Sequence, residues 1–297
     1  MKQLRKRIVA VICACVMLFC CMPSNAYAAE SISTGNINFS EYEYIVSARA
    51  MSKEQAMKAG ITEEAYAILH SSAIEDELLL RKSKSDEELM AHYGYSAKEI
   101  QILRKYEGER LEENPSLAAV TGTLTITTPN VSTATSTTIY FWFDWSWDHK
   151  PVVNNTDILA INWAPTFGTQ NGNMRIMSSY SKHYVKYTYM GLDVDTRQFS
   201  FEQIDATASI QQKFPMLYDL TDAWASWGEA LVYLQATEGS APLTSIDIVI
   251  VYGHATLVLS AGVSFPASGG ISVSRGTDDA CRKSGYIPIS TGRWVNN

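Results

Sequence analysis

Residues 139–163, IYFWFDWSWDHKPVVNNTDILAINW, constrain the fold more than any other part of the chain, because aromatic and β-branched residues crowd there into two runs around a polar break. Side chains of those types favour strands, so the segment reads as strand, turn and strand, a central hairpin. Counted with period two, Phe141, Phe143, Trp145 and Trp147 share one face of the first run. Tyr140, Trp142, Asp144, Ser146 and Asp148 share the other. The first face is expected in a core; the second begins apolar and ends acidic.

On the N-terminal side the composition is helical. Residues 40–113 contain no proline and are rich in Ala, Glu, Lys, Leu and Met. An internal echo divides them: SKEQAM from Ser52, with Gly60 and Thr62, recurs as SDEELM from Ser85, with Gly94 and Ser96. Each copy reads as a capped helix, a glycine stop and a second capped helix, with Ser52–Gln55, Ser85–Glu88 and Ser96–Glu99 as the capping pairs. Two helical hairpins of ~34-residue period are too few for a solenoid. Their acidic character argues against a DNA-binding helix-turn-helix, which needs cations for phosphate.

Pro115 ends the helical composition, and from Thr121 onward Thr, Ser, Val, Ile, Tyr and Trp dominate in short, turn-bounded runs. Strands are expected at 174–177, 183–189, 199–204, 208–214, 230–236 and 245–254, with a short helix or loop at 219–227. A further hairpin is expected around Pro266. The fold class that follows is α+β: a signal peptide over 1–28, a helical segment over 29–115, and a mainly antiparallel, β-sandwich-like domain over 116–297.

The signal reading rests on Lys2, Arg5, Lys6 and Arg7, the apolar run 8–22 and the small residues Ala26 and Ala28. Together they predict export with cleavage after Ala28 and no retained membrane anchor. The whole chain has 24 basic and 31 acidic residues; losing four basic residues and no acidic ones leaves 20 against 31. A net charge near −11 disfavours nucleic acid as a partner. Four of the five cysteines lie in the signal, so Cys281 alone is expected in the mature chain and no internal disulfide follows.

No nucleophile elbow, phosphate loop, dinucleotide fingerprint or zinc spacing is present. The candidate chemistry is therefore sparse. Asp144, Asp148 and Asp157 carry the hard oxygen donors that Ca2+ prefers, and Asp144 with Asp148 can be read as an acid–base pair for a hydrolase. His149 adjoins them, and His254 stands at a strand corner where an imidazole serves as ligand or base. Trp142, Trp224 and Trp227 are the candidates for stacking on a ligand, in a chain with seven tryptophans and 16 tyrosines. The expected function is a secreted, non-enzymatic protein that binds a glycan, cell-surface or protein ligand. The alternatives are a toxin or pore-forming protein, or a hydrolase using Asp144 and Asp148.

Overall fold

A computed structural model describes residues 35–58, 61, 63–154, 156–169, 172–205, 208–218, 222–254, 263–264, 272–273 and 281–297. The expected signal and its cleavage site, with Gly60, Thr62 and the turn around Pro266, lie outside the described residues. Gly35–Asn297 forms one compact unit.

The unit opens with a strand, β1 (Ile37–Ser40), that leads directly into the first helix. Ser40 does both jobs, closing the strand and capping the helix by accepting from Glu43 N at 3.3 Å. The helices are α1 (Glu41–Ala50), α2 (Lys53–Lys58), α3 (Glu63–His70), α4 (Ala73–Lys82), α5 (Asp86–Tyr93) and α6 (Ala97–Lys105). The expected caps are present: Gln55 N and Ser52 N close a box with Ser52 Oγ and Gln55 Oε1 at 3.2 and 2.8 Å. Ser96 and Glu99 form a second complete box. At Ser85 only half of it forms, since Glu88 turns to Lys84 at 3.0 Å. The helices bury their own core, with Ile45, Leu69, Leu78, Leu89 and Leu103 inaccessible to solvent.

The strands then follow as β2 (Thr123–Ile126), β3 (Asn130–Ala134), β4 (Thr138–Trp147), β5 (Thr156–Phe167), β6 (Met174–Ile176), β7 (Lys182–Tyr189), β8 (Leu192–Phe199), β9 (Glu202–Asp205) and β10 (Ser209–Pro215). After these come β11 (Trp224–Ala236), β12 (Leu243–Gly253), β13 (Val263–Ser264), β14 (Ser272–Val273), β15 (Cys281–Pro288) and β16 (Val295–Asn296). One sheet runs β1-β2-β4-β11-β7-β8, with β3 also on β4 and β6 also on β11; the other runs β16-β15-β12-β5-β10-β9. Every pairing among the described residues is antiparallel, and β13 pairs with β14, the two arms of the expected hairpin.

Both large sheets bury their inner faces in one core. Phe141, Phe143, Trp145 and Trp147 face inward as the period-two reading predicts, against Trp163, Phe214, Ile248, Ile250 and Tyr252 of the other sheet. Trp145 lies 5.2 Å from the Phe214 ring and 5.1 Å from Tyr252, and donates from Nε1 to His183 Nε2 at 2.9 Å. Gly228 sits opposite Trp145 because a Cβ there would come within 2.4 Å of the indole.

Two sequence expectations are corrected. β4 and β5 do not form a hairpin: they belong to different sheets, and residues 148–154 arch between them. Val152 and Val153 of the arch are buried in the helical core, so this polar-looking connection is an anchored crossover. Trp224 and Trp227 lie in a strand rather than in a short helix or loop. β8 is not signalled by the sequence, because its turn, Met190 and Gly191 with φ of 51° and 73°, carries no turn signature in its first residue.

Candidate functional site

The outer face of the first sheet collects a group of aromatic side chains that the core does not use. On β4 these are Tyr140 and Trp142, followed by Asp144 and Ser146, all half-buried. Antiparallel register sets Tyr233 of β11 opposite Tyr140, Leu231 opposite Trp142, Glu229 opposite Asp144 and Trp227 opposite Ser146. One strand further, Lys182, Tyr184 and Lys186 of β7 stand opposite Leu231, Glu229 and Trp227. Successive even or odd positions of three hydrogen-bonded strands thus form one continuous surface.

Its rings are close enough to touch. Tyr140 lies 6.3 Å from Trp142 and 6.0 Å from Tyr233, and Tyr180, 63% exposed, lies 5.4 Å from Tyr233. Lys186 reaches over the Trp227 ring at 5.6 Å while holding Asp193 at 3.0 Å. At the centre of the surface, partial burial raises the Asp144 pKa above the usual carboxylate value. Glu229 is raised by burial first and by the facing Asp144 second. The Tyr140 hydroxyl is pushed up in turn by burial, Glu229 and Tyr184, which places these groups in one electrostatic neighbourhood.

The other residues singled out from sequence go elsewhere. Asp148 Oδ1 accepts from Thr123 N at 2.6 Å and lies 3.0 Å from His149 Nδ1. His149 Nε2 is 3.3 Å from Glu99 of α6, and although burial opposes its charge, the two carboxylates raise its pKa. Trp224 is buried and donates to His92 O at 3.0 Å. Asp157 and His254 are buried together with Glu41, the first residue of α1.

That last cluster ties the helices to both sheets. His254 Nδ1 is 3.1 Å from Asp157 Oδ1, and its Nε2 is 3.3 Å from Glu41 Oε1. Tyr252 donates to Asp157 Oδ2 at 2.5 Å and receives Trp147 Nε1 at 3.2 Å. Glu41 also accepts the amides of Gly122, Val152 and Val153 at 3.0, 2.9 and 2.9 Å. Burial resists the charge on His254, but Asp157 and Glu41 outweigh it and raise its pKa to about 10. Burial likewise resists ionisation of Glu41, yet His254 and the Val153 and Val152 amides bring its pKa below the ordinary value. With every polar atom engaged and 0–1% exposure, this is an ionic staple between layers.

The structure therefore brings Trp142, Asp144 and Trp227 onto one face and Asp157 with His254 into a second, buried group. Asp148 and His149 stand at the end of β4, and Trp224 packs under α5. Asp144, Asp148 and Asp157 do not converge, and among the described residues no group of three His, Cys, Asp or Glu side chains is placed to hold a metal ion. Sequence reasoning places Tyr140 on this face without singling it out, and misses Tyr184, Glu229 and Tyr233. Alternation within Trp224–Ala236 carries the last two, but only the strand register shows what they face.

The fold is an α+β arrangement of a few helices with two large antiparallel sheets in a β-sandwich-like domain. No protein-family model and no curated protein matches the chain. Among the solved structures that resemble parts of it, two illustrate the level of likeness. One is AvmM, described as catalysing macrocyclization in alchivemycin A biosynthesis, at 11% identity and TM-score 0.25, over 54% of this chain and 87% of that one. The other is Clostridium perfringens delta-toxin, at 7% identity and TM-score 0.23, over 59% of this chain and 88% of that one. Likeness at that level carries no statement about function. No helix among the described residues is long and apolar enough to cross a membrane.

Proposed function

We propose that the chain is an exported, non-catalytic binding protein that takes an extended saccharide on the outer face of its first sheet. The observation that supports this reading is the surface built by Tyr140, Trp142, Tyr184, Trp227 and Tyr233 across β4, β11 and β7. Half-exposed rings on a rigid sheet offer flat apolar area to the C–H faces of sugar rings, with little conformational freedom left to lose on binding. An open, three-strand-wide surface suits a long ligand. Two hollows, one lined by α5 and α6 and one beside β6, are lined by none of these rings.

β4 and β11 are interior strands, paired on both sides, so their backbone groups are already used. An extended peptide cannot add to them as a strand, and recognition must run through side chains. Export follows the expected signal at 1–28. The test is retention of the purified protein on a panel of insoluble polysaccharides, compared with Trp142→Ala. One polysaccharide is expected to retain the wild type, and the variant to lose most of that retention with an unchanged urea midpoint. Binding that survives Trp142→Ala, or no retention on any member of the panel, refutes the assignment.

A further inference from the structure

The centre of this surface carries an arrangement that stability alone disfavours. Asp144 and Glu229 face each other directly across β4 and β11, where like charges oppose strand pairing. Among the described residues neither carboxylate has an ion pair or side-chain hydrogen bond, although two lysines stand on the neighbouring strand. Lys186 is engaged by Asp193 and the Trp227 ring, and Lys182, opposite Leu231, makes no ion pair with Glu229.

Next to the pair itself the sheet places rings. Trp142 is two residues from Asp144 on β4, Trp227 two residues from Glu229 on β11, and Tyr184 stands opposite Glu229 on β7. Two carboxylates framed by aromatic faces are complementary to an ammonium group attached to a body that stacks. A neutral sugar meets the rings equally well but leaves the facing charges uncompensated.

Resting on the reading above, we infer that the saccharide is cationic: a polymer of amino sugars with free amines, its rings on Trp142, Tyr140 and Trp227 and an ammonium between Asp144 and Glu229. The whole chain's excess of acidic residues, 31 against 24 basic, favours the encounter with a polycation. The free amine supplies the partner charge that neither carboxylate finds on the sheet, and the same polymer with its amines acetylated does not.

The test titrates the full purified chain with three probes: an oligomer of β-linked glucosamine, its fully N-acetylated counterpart, and oligolysine of similar charge. At about pH 6 the amine form is expected to bind at least about tenfold more tightly than the acetylated form, with affinity falling as salt rises. Asp144→Asn with Glu229→Gln is expected to bring the two sugars to parity while keeping the weaker, Trp142-dependent binding. The thermal midpoint should stay level or rise, because a repulsive pair has been removed. Equal binding of both sugars to the wild type, lost in Trp142→Ala, overturns the charge inference and leaves the saccharide reading standing. Binding of neither sugar overturns the charge inference and leaves the saccharide reading to the polysaccharide panel, and oligolysine binding as tightly as the amino sugar refutes the saccharide as the recognised class. A double variant that retains the wild-type preference for the amine refutes the role of the pair.

Discussion

Replacing His254 with glutamine tests the staple beneath α1. The imidazole lies between Asp157 at 3.1 Å and Glu41 at 3.3 Å, and all three residues are buried. A glutamine side chain would keep a polar group in roughly the same space but no charge, leaving two buried carboxylates with amide and hydroxyl donors alone. Removing one partner of a buried ion pair typically costs ~3–5 kcal/mol. The raised pKa leads to a similar ceiling: from 6.5 to about 10 corresponds to roughly 5 kcal/mol of linkage. The lowered pKa of Glu41 describes the same contact from its other side and is not added.

The sign follows from which state holds the proton. His254 is raised in the folded protein, so its contribution is fully present below 6.5 and is lost as pH rises through about 10. Lys150, lowered to about 8 chiefly by burial, works in the opposite direction, but it is common to both proteins and cancels in their difference. Urea unfolding of wild type and His254→Gln at about pH 6 should therefore differ by ~3–5 kcal/mol, and at about pH 10 by clearly less. A gap below ~1 kcal/mol at the lower pH, the size of an exposed pair, refutes the staple. A gap that is unchanged at the higher pH shows that shape and not charge holds the site.

Trp145→Ala should cost ~3–5 kcal/mol in urea unfolding while Trp142→Ala, on the other face of the same strand, costs less than ~1; equal losses would contradict the register. His92 is lowered to about 4, first by burial and then by Lys150, whose Nζ is 3.1 Å from its Nε2; Arg81 opposes its charge as well, while Asp222 and Glu88 partly offset them. The unfolded chain binds that proton more readily, so stability should fall as pH drops from 6.5 toward 4, and His92→Gln should flatten this decline in a pH series of melting temperatures.

Much of the local structure is legible in order along the chain. Capping pairs such as Ser96 and Glu99 specify their helix starts through bonds within one turn, and the alternation from Phe141 to Trp147 specifies which face is buried through the two-residue repeat of a strand. Both are short-range geometry, so residue order alone carries them. Partner choice is not short-range. The run from Ile139 to Trp163 looks like one hairpin because adjacent strands usually pair, yet the arch at Pro151–Val153 sends β4 and β5 into opposite sheets and joins β4 to β11, far along the chain. That pairing, set by the packing of two buried faces, is what moves Asp144 away from Asp148 and Asp157 and sets it against Glu229 among Trp142, Tyr184 and Trp227. It is also what brings Glu41, Asp157 and His254 together, since the attraction that holds them depends on a dry interior that only the packed sheets and α1 create.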